Sequence, residues 1–555
     1  MLRLSRSIAV GCLALIAPLQ PVVAQTALPQ AALPQAIVPQ PGTLRVAAAV
    51  PPRLEFSEVE MALARAVADS PVLAAFYGSN GLRPVFAGPE GQALRDALRQ
   101  AVTASPAHGI PAARYRPDTL AGDGRDLPSE LAAELAHARV LARYLSDLSG
   151  GMVRPSAVDP QIHRQVRRPP VDRMMAEFAA SGDPAGYLAS VAPRHPAYRA
   201  LQQALAARQD LVVPPGLPAV PEALWRPGMR DPGVALLRER LASIGFAAPG
   251  APDLYDEALS AEVARYQQAI GLPADGIAGP RTIRALNAGA DQGTQRILMA
   301  LERMRWLGGE DLEARHVWVN IPEFKARILD GGRQIFETRT VVGTADPDRQ
   351  TPEFSDQMEY VVVNPRWNVP RSMTVRDYLP QLKANRHAVS HLDVVDGQGR
   401  VIPRGQIDFS RYTAANFPYR LRQKPGDDNA LGLVKFIFPN PWNIYLHDTP
   451  TKHLFANRSR AYSNGCIRIG DPFDLAHALL SQQTDDPQAM FRRALEGGRE
   501  RWLALTPNVP VHLVYFTAYP DADGGIAFFE DIYGRDAALW ALMEKAALDS
   551  GGRTD

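Results

Sequence analysis

The chain has 555 residues, a formal net charge of +1, and 46% hydrophobic and 21% charged residues. That length allows several domains, each with its own core. The near-zero charge excludes an overall field able to draw in nucleic acid or an anionic membrane, so any partner must be recognised locally.

At the N-terminus, Arg3 and Arg6 precede an apolar run from Ile8 to Ala17, and Val22-Val23-Ala24 offers compact residues before Gln25. This predicts a secretory signal peptide over residues 1–24, cleaved after Ala24. The run is too short to span a bilayer, and no other stretch approaches the ~20 apolar residues of a membrane helix. Acylation at Cys12 is disfavoured because little apolar sequence precedes it and more follows. Cleavage would leave Cys466 as the lone thiol of an exported chain, a liability in an oxidising compartment unless it has work to do. Residues 25–53 contain the Pro-Gln repeat of "ALPQAALPQAIVPQPG" and no aromatic anchors, which predicts an extended tether.

Residues 54–218 read as a helical scaffold without gathered catalytic side chains. Ser129 is positioned to cap a helix whose Leu131, Leu135, Ala138, Leu141, Leu145 and Leu148 share a face and which stops at Gly150-Gly151. "GQALRDALRQAV", "DRMMAEFAAS" and "AYRALQQALAAR" predict further helices. After a Pro-rich joint, residues 229–287 predict a small three-helix unit. Leu236, Leu237, Leu241 and Ile244 face inward on one helix, Leu259, Val263, Tyr266 and Ile270 on the next, and "DGIAGPRTIRALN" closes with a glycine turn. This segment, above all "YQQAIGLPADGIAGPRTIRALN", resembles the peptidoglycan-binding module attached to many cell-wall enzymes.

From residue 295 to 536 the texture is strand-like. "HVWVNIPEFKARIL", "QIFETRTVVG", "MEYVVVNPRWNVP", "VKFIFPNPWNIYLHD" and "VPVHLVYFTAYP" are rich in β-branched and aromatic residues, predicting a β-sandwich or mixed sheet. The polar, basic interlude at 376–426 predicts a lid inserted between strands. Residues 537–555 form a C-terminal helix and tail. The fold class expected is therefore multidomain α+β: helical scaffold, three-helix module, and a mainly β domain with an inserted lid subdomain.

Chemistry concentrates in "HDTPTKHLFANRSRAYSNGCIRI". A protonated thiol is a poor nucleophile and needs a base, electrostatic help, or both. His447 ends a strand and His453 lies in the following loop; a rigid strand end positions a base better, which favours His447. Gly465 lets the backbone approach closely, so that N–H groups around Cys466 can form an oxyanion hole. Arg468 offers a fork for a substrate carboxylate, against the alternative of a surface ion pair. The eleven histidines include no His-Glu-x-x-His pair, one cysteine cannot build a thiolate zinc site, and no glycine-rich phosphate loop is present.

Tyr445-Leu446-His447-Asp448-Thr449-Pro450 followed by Ser463-Asn464-Gly465-Cys466-Ile467-Arg468 resembles the catalytic motif of YkuD-type L,D-transpeptidases. "NPRWNVPRSM" and "RQKPGDDNALGLVKFIFPN" extend the resemblance to the large YcbB-like subgroup, which joins scaffold, peptidoglycan-binding module and lidded catalytic domain. The resemblance implies Cys466 as nucleophile and His447 as general base and acid, with a backbone carbonyl orienting the imidazole. Many relatives carry a second histidine where this chain has Asn464, which is read as structural. Asp448 is also read as structural, since neighbours on a strand face opposite ways. Tyr445 shares the face of His447 and lines the site, and Ser463 belongs to the motif; Trp367 packs either against substrate or in a core. The implied substrates are peptidoglycan stem peptides and glycan, with other cell-wall synthases as protein partners, no nucleic acid and no cofactor. Transfer forming 3→3 crosslinks, hydrolysis of the same acyl-enzyme, and an inactive wall-anchored scaffold all remain open. Because the nucleophile and oxyanion donors lie outside the lid, its removal is expected to impair transfer more than acylation.

Overall fold

The computed structural model describes residues 56–120, 127–208, 213, 216–288 and 292–549. The expected signal peptide, the tether and the end of the C-terminal tail lie outside the described residues.

The first domain is helical, as the periodicity predicts. Its longest helix, Leu127–Gly150, buries Leu135, Ala138, Leu141, Leu145 and Leu148 against the helices Pro71–Ser79, Gln92–Ala104 and Val171–Ala179. Ser129 falls inside the first turn of that helix rather than ahead of it, so it is not the N-cap. The three helices of the second unit, Gly233–Ala242, Glu257–Ile270 and Pro280–Ala288, enclose Leu237, Leu241, Leu259, Val263, Tyr266 and Ile270. Its Asp-Gly-Ile turn is held by the buried Gln267, whose side chain donates to Asp275 Oδ1 and the Ile277 carbonyl (both 2.9 Å) and accepts the Gly276 N–H (2.9 Å). Gly276 sits at φ +64°, a conformation that glycine adopts at no steric cost.

The helix Gln292–Arg305 leads into the β domain and forms a joint. Ile297, Ala300, Leu301 and Met304 pack with Tyr198 and Leu201 of the scaffold and with Trp318 and Phe516 of the sheet.

The strands are β1 (His316–Asn320), β2 (Lys325–Asp330), β3 (Arg333–Gly343), β4 (Phe354–Val363), β5 (Trp367–Asn368), β6 (Leu392–Val395), β7 (Arg420–Gln423), β8 (Val434–Ile437), β9 (Leu446–His447), β10 (Ala461–Ser463), β11 (Ile467–Ile469), β12 (Arg501–Val514), β13 (Ala518–Pro520) and β14 (Ile526–Phe528). Nine of them form one mixed sheet in the order β10-β3-β11-β9-β8-β4-β12-β1-β2, and β2 also pairs with β3. The mixed-sheet expectation thus resolves into a sheet that closes on itself through the long, shared β3. One of its faces buries Val317, Val361, Phe436, Leu446, Ile467 and Leu513 against the helices Pro472–Leu480 and Pro487–Glu496.

Between β4 and β8 the chain forms a subdomain with its own three-stranded sheet, β5-β7-β6. Its core includes Trp367, Leu379, Leu382, Phe409, Phe417, Leu421 and Leu431. This core reaches further on both sides than the polar stretch 376–426, because β5 must pair with β7 to complete the small sheet. Such a subdomain folds around its own apolar cluster and is more than a long loop.

Candidate active site

The site is built where β9 and β11 run parallel, with Ile467 opposite Leu446 and Arg468 opposite His447. Leu446 points into the main core, so Tyr445 and His447 project from the other face, their rings 5.7 Å apart. The register brings Cys466, one residue before β11, beside Tyr445: the Ile467 N–H donates to the Tyr445 carbonyl at 3.1 Å. The thiol is half-buried and lies within reach of both the backbone N–H and the phenol of Tyr445. Its own S–H donates to the Asn443 carbonyl at 3.5 Å. Burial pushes the thiol up to about 11, although Tyr445 and the Arg468 charge oppose the rise.

Cys466 sits on a tight turn. Gly465 adopts φ +109°, where a Cβ would lie 3.3 Å from both the Gln350 carbonyl oxygen and Ile444. Ser463 Oγ donates to the Cys466 carbonyl (2.5 Å) and accepts the Gly465 N–H (3.1 Å), closing the turn from inside. The Gly465 N–H is therefore already used. Of the N–H groups around Cys466, this leaves that of Cys466 itself, which has no acceptor among the described residues, as the turn's open donor. From outside, Thr351 Oγ1 donates to the Gly465 carbonyl at 2.8 Å, and the Tyr533 phenol accepts the Thr351 N–H at 3.1 Å.

His447 is buried, with its Nδ1 2.5 Å from the Asp448 carbonyl. A carbonyl only accepts, so Nδ1 carries the proton and Nε2 presents a lone pair. Burial, together with the Arg468 and Lys435 charges, pushes the imidazole down to about 3. Those cations flank it in the sheet, Arg468 on β11 and Lys435 on β8. Arg468 donates to Thr451 Oγ1 at 3.1 Å, forms no ion pair among the described residues, and keeps its Nε buried without a partner. The surface ion-pair alternative fails for it.

Asp448 turns away from the imidazole, as strand alternation requires. Its carboxylate accepts Lys452 Nζ (2.6 Å), the Thr449 N–H (2.7 Å) and the Leu433 N–H (2.9 Å), a structural role. His453 is exposed on the short helix Lys452–Ala456, outside this cluster. Trp367 is buried in the core of the inserted subdomain and lies within reach of the Tyr445 phenol, so the core alternative describes it. Tyr445 itself packs against that core, which ties the inserted subdomain to the residue beside the Cys466 thiol. Asn464 is exposed.

Sequence reasoning missed Asn443, Thr351, Tyr533 and Lys435. Three act through contacts distant in sequence that no local pattern records. Lys435 carried a signal: it is the charged position in the otherwise apolar alternation "LVKFIF" one strand from His447.

Comparison with known proteins divides the chain in the same way. Residues 314–500 match the family model of the YkuD L,D-transpeptidase catalytic domain, residues 71–205 a scaffold domain, and residues 230–286 a domain described as "Putative peptidoglycan binding domain". A curated relative from Haemophilus influenzae, named "Putative L,D-transpeptidase", is 35% identical over 260 residues, covering 45% of this chain. The chain spans about half the length of that relative, 51%. A solved L,D-transpeptidase from Xylanimonas cellulosilytica aligns with 54% of this chain and 100% of its own length, at 14% identity and a TM-score of 0.15.

Proposed function

We propose that this chain, which carries a YkuD-type L,D-transpeptidase catalytic domain beside a scaffold domain and a peptidoglycan-binding domain, forms 3→3 crosslinks between peptidoglycan stem peptides through a thioester on Cys466. The carrying observation is that the β9–β11 register gathers on one face the Cys466 thiol, with the Tyr445 phenol within its reach, and a buried His447 imidazole protonated at Nδ1 opposite Arg468, which forms no ion pair among the described residues. Thiol and imidazole both rest neutral, so the proton moves as the bond forms.

Cys466 Sγ attacks the carbonyl of the third residue, a diaminopimelate, in a donor tetrapeptide, and its proton passes to His447 Nε2. Tyr445 supports charge on the sulfur, the open Cys466 N–H supports the developing oxyanion, and Arg468 receives a donor carboxylate. As the C–N bond breaks, the imidazolium returns the proton to the departing D-Ala amine; its low proton affinity favours that step. An acceptor amine then attacks the thioester, gives up a proton to His447 and regenerates the thiol. The binding module and the substrate class favour an exported, periplasmic, cell-wall-associated protein that works alongside other cell-wall synthases.

Incubation with purified disaccharide tetrapeptide tests the reading by product mass. A crosslinked dimer supports transfer; tripeptide alone means that water resolves the acyl-enzyme, as in an L,D-carboxypeptidase; unchanged tetrapeptide sinks both. A carbapenem provides a second test, because its strained amide lies beside a carboxylate. Intact-protein mass should rise by one drug on wild type and not at all on Cys466→Ala.

A further inference from the structure

The carbonyl that receives the Cys466 thiol belongs to Asn443, a non-glycine residue held at φ +56°. Its loop is closed by Asn440, whose side chain donates to the Phe438 (2.6 Å) and Ile444 (2.7 Å) carbonyls and accepts the Ile444 N–H (3.0 Å). The neighbouring Trp442 is 37% exposed, yet its ring is gripped. Phe354 packs on it at 4.7 Å, and the imidazole of His163 stacks on it at 4.2 Å with an interplanar angle of 12°.

His163 belongs to the scaffold domain, and its backbone is fixed to the catalytic sheet. The His163 N–H donates to the Glu353 carbonyl (2.9 Å), and the Glu353 N–H donates to the Gln161 carbonyl (3.0 Å). Next in sequence, the buried Arg164 donates to Ser355 Oγ (2.8 Å) and the Leu513 carbonyl (2.9 Å). The scaffold thereby presents one aromatic plate, at a fixed height, to the loop carrying the thiol's acceptor.

We propose that the scaffold domain positions the nucleophile, with His163 as the positioning residue acting through Trp442 and Asn443 on Cys466. The inference rests on Cys466 being the nucleophile. With the stack in place, the Trp442–Asn443 peptide keeps its orientation and the sulfur keeps a single rotamer beside Tyr445. Without it, the acceptor carbonyl swings and fewer bound complexes reach attack geometry, while the groups that bind substrate are untouched.

The test is acylation of the full chain by a carbapenem over a range of concentrations, read by intact mass, with thermal unfolding as a check on folding. His163→Ala should lower the saturating acylation rate about 10-fold with no change in the half-saturating concentration. His163→Phe, which keeps a flat ring, should restore the rate to within about twofold of wild type. Trp442→Ala should match His163→Ala, and the double variant should be no slower than either single one. A wild-type rate in folded His163→Ala overturns the proposal, as does a loss confined to half-saturation or strictly additive losses in the double variant. A wild-type protein that takes no adduct instead overturns the nucleophile reading, and this proposal with it.

Discussion

Burial pushes the Cys466 thiol up to about 11 and the His447 imidazole down to about 3, which favours two neutral groups over a resting thiolate and imidazolium. Iodoacetamide labelling of Cys466 should therefore keep rising from about pH 7 to about pH 10, beyond the ordinary thiol near 8.5. A plateau near neutrality would reveal a preformed ion pair and contradict the assignment. His447→Ala should reduce acylation by about 10²–10⁴, the usual scale of general acid–base catalysis. The exposed His453, replaced by alanine, should leave the rate within about twofold, since side chains outside the cluster contribute little to it. Steady-state or single-turnover kinetics on the two variants checks the assignment, and an essential His453 would reverse it.

The turn at residues 463–466 is one element with two locks, Ser463 inside and Thr351 outside. Ser463→Ala removes both inner bonds and leaves the Gly465 N–H unsatisfied, at a cost of about 1–3 kcal/mol. Its acylation rate should fall further than its unfolding midpoint suggests, because the turn carries the proposed nucleophile; equal retention of rate and midpoint would mean the lock is dispensable. The lid yields a different expectation from that of the bare sequence. Tyr445 lies within reach of the Cys466 thiol and also packs against the core of this subdomain, so deletion of 376–426 strips the support from a residue of the proposed site. Acylation and transfer should fall together in single-turnover assays. Loss of transfer alone would mean that Tyr445 holds its place without the lid.

Across the whole molecule, buried charge fastens the domains. Glu302 and Arg305, both fully buried, pair at 2.5 Å, and Glu302 also accepts the Val153 N–H at 2.8 Å. Glu302→Gln should destabilise the chain by about 3–5 kcal/mol, because an arginine is left buried without its counter-ion. Denaturant unfolding measures this, and a loss under about 1 kcal/mol would place the joint's stability in apolar packing instead. Burial also holds several histidines neutral: His447 near 3, His108 near 4, and His512, His316 and His195 below their ordinary value. In the unfolded chain these groups titrate near 6.5 and take up protons that the folded state refuses. Stability should be full above about pH 6.5 and fall progressively toward about pH 4. A thermal midpoint that stays flat over that interval would contradict the burial of these rings.

The sequence by itself determined what is local or periodic: the helical faces of the scaffold, the Asp-Gly-Ile turn of the small module, the strands, and the Ser-Asn-Gly-Cys-Ile-Arg element with a histidine on the preceding strand. Each of these depends on residues close in the chain, where spacing and backbone preference suffice. Only the tertiary structure decided which carbonyl fixes the His447 tautomer, that the Gly465 N–H is already occupied, that Trp367 belongs to a core, and that the lid supports Tyr445. The last two depend on contacts between segments far apart in sequence; the first two have partners only one and two residues away, but which rotamer and turn the chain takes there is set by the packing around them. A buried hydrogen bond or ring stack is set by the whole fold that excludes water around it, and no pattern along the chain encodes its partner.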